Sequence, residues 1–132
     1  MNLVSKWGGT NLNNIFQANQ RIYVHPEDWH LLLNYKYIRS LHQCIAASED
    51  YLTLLFEEIK IRVKPDVFHP IEEKPQFLPL ENIKLINSKG KLETGIIKGI
   101  YWHNNERRIY YEVEVNGKVK GRKYFQEDLD RL

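Results

Sequence analysis

Four prolines, Pro65, Pro70, Pro75 and Pro79, stand within the sixteen residues from Lys64 to Pro79. Each fixes its own φ and pushes the residue before it towards extended backbone, so no helix or long strand can run through this stretch. The chain of 132 residues is thereby divided into two small parts. A solvated linker would be polar, yet this one carries Val67, Phe68, Ile71, Phe77 and Leu78. Those side chains predict a connector pinned against the protein and two halves packed together, since a unit of about 65 residues alone builds only a marginal core.

The reading on either side of the connector is mainly β. Residues 1–20, rich in Asn, Gln and Gly, read as an N-terminal arm whose Trp7, Ile15 and Phe16 dock on the body. Residues 21–72 read as a first β half. Arg21 to Val24 is predicted as a short strand. One short helix is predicted near residues 26–34, because Pro26 suits a first helical position and Glu27 and Asp28 favour the positive end of the dipole. In it Trp29, Leu32 and Leu33 form one apolar stripe at helical spacing. Tyr51 to Phe56 is apolar on both faces and reads as a central strand. Ile59, Ile61 and Val63 alternate with Lys60, Arg62 and Lys64, a strand with one wet face that Pro65 ends.

Residues 73–80 form the connector proper, and residues 81–132 read as a second β half, a small meander. Its last hairpin contains Asn116-Gly117, which invites a two-residue turn. That register mixes polar and apolar groups on both faces. A three-residue loop, Val115-Asn116-Gly117, instead pairs Glu114 with Lys118, Val113 with Val119, Glu112 with Lys120, Tyr110 with Arg122 and Tyr111 with Gly121. Opposite charges then face each other on one side, each good pair contributing roughly 0.2–1 kcal/mol, so the three-residue loop is the expected one.

The two halves share a cadence, IRVKPDVFHPI in the first and GRKYFQEDLDRL in the second, in which an alternating strand runs into a short turn with apolar anchors. This weak internal repeat resembles the SH3-like and Tudor-like family of small β-barrels, which end in a strand, a single 3₁₀ turn and a closing strand. The resemblance covers about Arg21 to Ile71 and Leu80 to Leu132. It implies two SH3-like barrel halves. The helix predicted near residues 26–34 departs from a minimal barrel. The first half also resembles small uncharacterised bacterial domains in two segments, Tyr23-Val24-His25-Pro26-Glu27-Asp28 and Arg62-Val63-Lys64-Pro65, a likeness that implies no activity.

Chemistry-bearing motifs are sparse. His25, Glu27, Asp28 and His30 lie within six residues, but their spacing misses the i, i+3 or i, i+4 pattern of helical metal ligands. They read instead as a helix N-terminus capped by His25. Cys44 lies two residues from His42 with no feature to lower a thiol pKa, and reads as buried and structural. No phosphate loop exists. The expectation is a protein without enzymatic activity, cofactor or metal.

The aromatic set is the most suggestive feature. Tyr101, Trp102, Tyr110 and Tyr124, with Lys118, Lys120 and Arg122 on the same predicted hairpin, are the candidate binding residues; Tyr111 and Phe125 extend the set. Aromatics of this kind stack on cations, bases or prolines. Charge is divided mildly: Met1 to Pro75 carries 8 Lys+Arg against 9 Asp+Glu, and Gln76 to Leu132 carries 11 against 8. A net +3 in the second part is well short of a dedicated nucleic-acid binder. A protein partner is therefore the leading expectation. Nucleic-acid binding by the second half, or an immunity or inhibitor role, is the alternative. No apolar run reaches the ~18 residues that span a bilayer, so no membrane association is expected. One cysteine excludes an internal disulfide, and the N-terminus lacks the apolar core of a secretory signal. Both point to the cytoplasm.

Overall fold

A computed structural model describes residues 2–132. The chain divides into two compact units, Met1–Lys74 and Pro75–Leu132. The protein is mainly β: each unit is built on one five-stranded antiparallel sheet.

The first unit contains β1 (Trp7–Thr10), α1 (Leu12–Gln17), 3₁₀ turns at Arg21–Tyr23 and Pro26–Leu33, and α2 (Tyr35–Arg39). Then follow β2 (His42–Ala47), β3 (Leu52–Phe56), β4 (Ile59–Val63), a 3₁₀ turn at Pro65–Val67, and β5 (Phe68–Pro70). The strand order is β4-β3-β2-β1-β5. β3 is internal, and its Leu52, Leu54 and Phe56 are buried against Ile61 and Val63 of β4.

The second unit contains β6 (Asn82–Ile86), β7 (Leu92–His103), β8 (Arg108–Val115), β9 (Lys118–Val119), a 3₁₀ turn at Gln126–Asp128 and β10 (Leu129–Arg131). Its order is β10-β6-β7-β8-β9. Both units therefore run fifth-first-second-third-fourth, and in both a three-residue 3₁₀ turn leads into a fifth strand that returns beside the first. They differ in the link between first and second strands. It is the turn 87–91 in the second unit, but in the first it holds residues 11–41 with both α-helices and two 3₁₀ turns.

Several expectations are corrected. Among the described residues the expected arm at 1–20 is instead built into the first unit: Trp7–Thr10 is a strand between β2 and β5, and Leu12 and Ile15 of α1 are core residues. Glycines hid that strand, because Gly8 sits where a Cβ would collide with the backbone of His69. Arg21 to Val24 is not a strand but a 3₁₀ turn, followed by a single bridge from Val24 to Val63. The helix at residues 26–34 exists as a 3₁₀ helix, Pro26–Leu33. Three residues per turn keep Trp29 and Leu32 in line but rotate Leu33 out to 76% exposure. Of the connector's apolar groups, Val67 and Phe68 lie in the first unit's core and Phe77 packs edge-on to Tyr111 in the second, but Leu78 is exposed.

The last hairpin also differs from expectation. Glu114 pairs with Val119 and Val115 with Lys118 across a two-residue turn, where Asn116 (φ 53) and Gly117 (φ 78) both adopt left-handed backbone. The turn decides the register because β9 is only two residues long and exposed, leaving few cross-strand pairs to oppose it. Lys120 still bonds to Val113, whereas Tyr124 bridges Tyr111, so the residues between them loop out.

Candidate functional site

The second sheet has two faces. Ile83 and Leu85 of β6, Ile97 and Ile100 of β7, and Ile109, Tyr111, Val113 and Val115 of β8 are buried on the inner one. A bulge between Ile97 and Gly99 resets the alternation of β7. Outward positions are set by the register: Ile86 opposite Leu92, Ile96 opposite Glu114, Gly99 opposite Glu112, Tyr101 opposite Tyr110, and His103 opposite Arg108. A wet face would be polar at these positions. Here Ile86 and Leu92 are exposed at one end, Ile96 and Tyr110 are half-buried further along, and Lys84 and Thr94 stand between, so the face is apolar in part, which is the informative departure from an ordinary surface.

One end of this face is an aromatic cluster. The rings of Tyr101 and Tyr110 lie 5.4 Å apart. Tyr101 is nearly buried because its ring folds over Gly99, within 2.6 Å of where a Cβ would stand. His103 lies 5.9 Å from Tyr110 and 5.7 Å from Phe125. Phe125 is held by a hydrogen bond from its N–H to Asp128 Oδ2, 2.9 Å. The Arg108 guanidinium stacks over Phe125 at 3.6 Å and is gripped by Glu106 (3.0 Å) and Glu127 (2.7 Å). That hydrogen bond holds the Glu127 carboxyl below its ordinary range. Lys123 lies over Tyr110 at 5.2 Å.

The candidate residues from the sequence are only partly brought together. Tyr101 and Tyr110 are outward neighbours. Tyr124 is buried on the inner side opposite Tyr111, with Arg122 over its ring at 4.8 Å and paired to Asp128 at 3.4 Å. Trp102 faces inward opposite Ile109 and is half-buried. Lys118 lies opposite the inward-facing Val115, about 17 Å of strand from Tyr110, and Lys120 bonds to the inward-facing Val113, about 10 Å from it, so the expected single aromatic and basic surface is not formed. Sequence reading passed over His103 and Arg108, which carry the cluster, and Ile86, Leu92 and Ile96. Its signal was the adjacent aliphatic pairs Leu85-Ile86 and Ile96-Ile97, since neighbours on a strand point to opposite faces.

The first unit's polar groups are engaged in its own architecture. His25 Nδ1 accepts from the Glu27 N–H at 3.1 Å, as an N-cap. Asp28 takes the Arg62 side chain. Burial raises its carboxyl pKa, but hydrogen bonds from the Arg62 side chain and backbone outweigh this and leave it lowered. The segments Tyr23–Asp28 and Arg62–Pro65 thus meet in space. Cys44 is buried, its thiol raised by burial, and its Sγ bonds to the Ala46 carbonyl at 3.6 Å. No group of three or more His, Cys, Asp or Glu among the described residues is arranged to hold a metal ion. Among the same residues no helix is long and apolar enough to cross a membrane. A cleft of about 480 Å³ beside β10 is lined by Phe77, Gln126, Glu127 and Arg131 among others. Its arginine is already committed to Glu81 at 3.0 Å.

Fold and face together define a small two-unit β protein with a partly apolar outward sheet face. The chain belongs to a family of unknown function, DUF6960, whose profile matches residues 4–130 and so covers both units. No curated protein and no solved structure matches it.

Proposed function

We propose that this is a non-enzymatic, cytoplasmic interaction module of two SH3-like units, which binds a protein partner across the outward face of β6, β7 and β8. The shared strand order, with a 3₁₀ turn before each closing strand, supports the SH3-like reading. The observation that carries the binding reading is the apolar outward row, Ile86, Leu92, Ile96, Tyr101 and Tyr110, on a sheet whose other face already forms the core. Exposed apolar side chains on an otherwise wet sheet face mark interaction sites, and Tyr and Arg are the side chains that most often anchor them. A protein is favoured over nucleic acid because the charge of this unit is modest, 11 Lys+Arg against 8 Asp+Glu over residues 76–132, and Arg108, Arg122 and Lys98 each hold one of its carboxylates.

Affinity capture from the source cells tests this, comparing the intact chain with Tyr110→Asp and Leu92→Asp. Proteins retained by the wild type and lost from both variants are the expected result. Identical capture by all three chains contradicts the reading.

A further inference from the structure

Asn116 and Gly117 form the two-residue turn between β8 and β9, both in left-handed backbone and both exposed. Of the asparagines in the chain, only Asn116 is followed by glycine. Neither its carboxamide nor the Gly117 N–H has a hydrogen-bond partner among the described residues. A Cβ built on Gly117 would meet nothing within 4 Å, so the approach to its nitrogen is open.

This pairing carries chemistry. The backbone nitrogen that follows an asparagine can attack the side-chain carboxamide carbon and close a five-membered imide. Glycine removes the side chain that ordinarily shields this nitrogen, and its conformational freedom lets the backbone turn to the angle of attack. The asparagines in the other two connections of the meander lack that opening. Asn104 precedes Asn105, and Asn105 precedes Glu106. Asn87 precedes Ser88, and its Oδ1 is occupied by the N–H groups of Lys89 and Lys91 at 2.9 and 3.0 Å.

A closed turn opposes the reaction, because Asn116 must rotate out of its turn conformation before the Gly117 nitrogen reaches Cγ. What holds this turn is slight. β9 is two residues long and exposed, with the pairs Glu114–Val119 and Val115–Lys118. One further bond, from the Lys120 N–H to the Val113 carbonyl at 2.9 Å, precedes the loop that returns at Tyr124. Segments that bury so little open at small free-energy cost.

We propose that Asn116–Gly117 is a site of spontaneous deamidation whose product dismantles the β8–β9 hairpin. The Gly117 nitrogen bonds to Asn116 Cγ and gives up its proton, the Cγ–Nδ2 bond breaks, and ammonia leaves. Water then adds to one of the two imide carbonyls and opens the ring to aspartate or isoaspartate. Either product places a new carboxylate at the tip, and isoaspartate also lengthens the main chain by one carbon. The two-residue turn depends on the backbone geometry of its two central residues, so the isoaspartyl chain loses the pairs Glu114–Val119 and Val115–Lys118. This chemistry is independent of what the outward face binds.

The test is incubation of the intact chain in mildly alkaline buffer, followed by peptide mapping by mass spectrometry and enzymatic methylation of isoaspartate. Amide spectra are recorded before and after. The expected result is an amide-to-acid mass gain confined to the peptide that holds Asn116. It should be absent from Asn116→Gly, whose Gly-Gly turn keeps the left-handed geometry. In the modified fraction the amide resonances of Glu114 to Lys120 shift, while those of β6 and β10 hold. An unchanged mass at Asn116, or an equal or faster gain at Asn87, Asn104 or Asn105, would overturn the site. Isoaspartate at Asn116 with unshifted hairpin resonances would overturn the loss of the hairpin.

Discussion

Asp28 and Arg62, 34 residues apart, are joined by three hydrogen bonds. Asp28 Oδ2 accepts from the Arg62 backbone N–H at 2.8 Å and from Nε at 2.9 Å, and Oδ1 accepts from a terminal guanidinium nitrogen at 3.0 Å. Around them the His25 N–H donates to the Arg62 carbonyl and the Lys64 N–H to that of Tyr23. The edge strand β4 is thereby covered, and the 3₁₀ segment Pro26–Leu33 is tied to the sheet.

Replacing Asp28 by Ala leaves the Arg62 N–H and part of its guanidinium without a partner. Because Arg62 is partly exposed, water recovers some of the loss, and the expected cost is about 1–2 kcal/mol. The Asp28 carboxyl is lowered in the fold, so its contribution is present above the ordinary carboxylate pKa and lost as pH falls through the folded value. Urea titrations from pH 3 to 7 check both. The wild-type advantage over Asp28→Ala should shrink below about pH 4.

His42 titrates in a different window and with the opposite chemistry. Its ring is fully buried, packed edge-on against Tyr37 at 4.6 Å, with Nδ1 bonded to the Ser40 carbonyl at 2.9 Å and Nε2 without a partner. Burial holds it neutral and brings its pKa to about 4 from 6.5. The unfolded chain therefore binds the extra proton between these values, and stability falls as pH drops from 6.5 to 4, by up to about 3 kcal/mol. His42→Asn, which retains a donor for Ser40, should flatten that slope. An unchanged slope would show that another group is responsible.

The two glycines of β7 should respond unequally to Ala. At Gly95 a Cβ would lie 2.8 Å from Val113 Cγ1 and 2.9 Å from the Glu114 carbonyl oxygen, and backbone cannot step aside. At Gly99 the nearest atoms it would meet are the outer ring atoms of Tyr101. Gly95→Ala is expected to cost about 2–3 kcal/mol by overpacking. Gly99→Ala should cost less while shifting the Tyr101 and Tyr110 ring resonances. Thermal unfolding and aromatic NMR spectra distinguish the two.

Strong alternation made much of the fold legible. Ile59, Ile61 and Val63 announced β4, and IYYEV announced β8, because burial on one face forces period two. Trp7–Thr10 was not legible: it pairs with residues more than thirty positions away and carries two glycines in place of a pattern. The Asp28–Arg62 link was hidden for the same reason, since 34 residues separate its partners. For the candidate face, the Tyr101–Tyr110 neighbourhood lay in the aromatic spacing. The placement of Lys118 and Lys120 did not, because it followed from a turn with left-handed Asn116 and Gly117 rather than from complementary charges.

The central claim is that the outward face of the second sheet meets a protein. Photo-crosslinking in the source cells tests it most directly, with a photoreactive phenylalanine in the intact chain at Tyr110 or Leu92, and at the exposed Lys60 of the first unit as control. The account predicts a discrete, light-dependent protein adduct from positions 110 and 92 and none from 60. Adducts from position 60 alone, or none at all from 110 and 92, would contradict it.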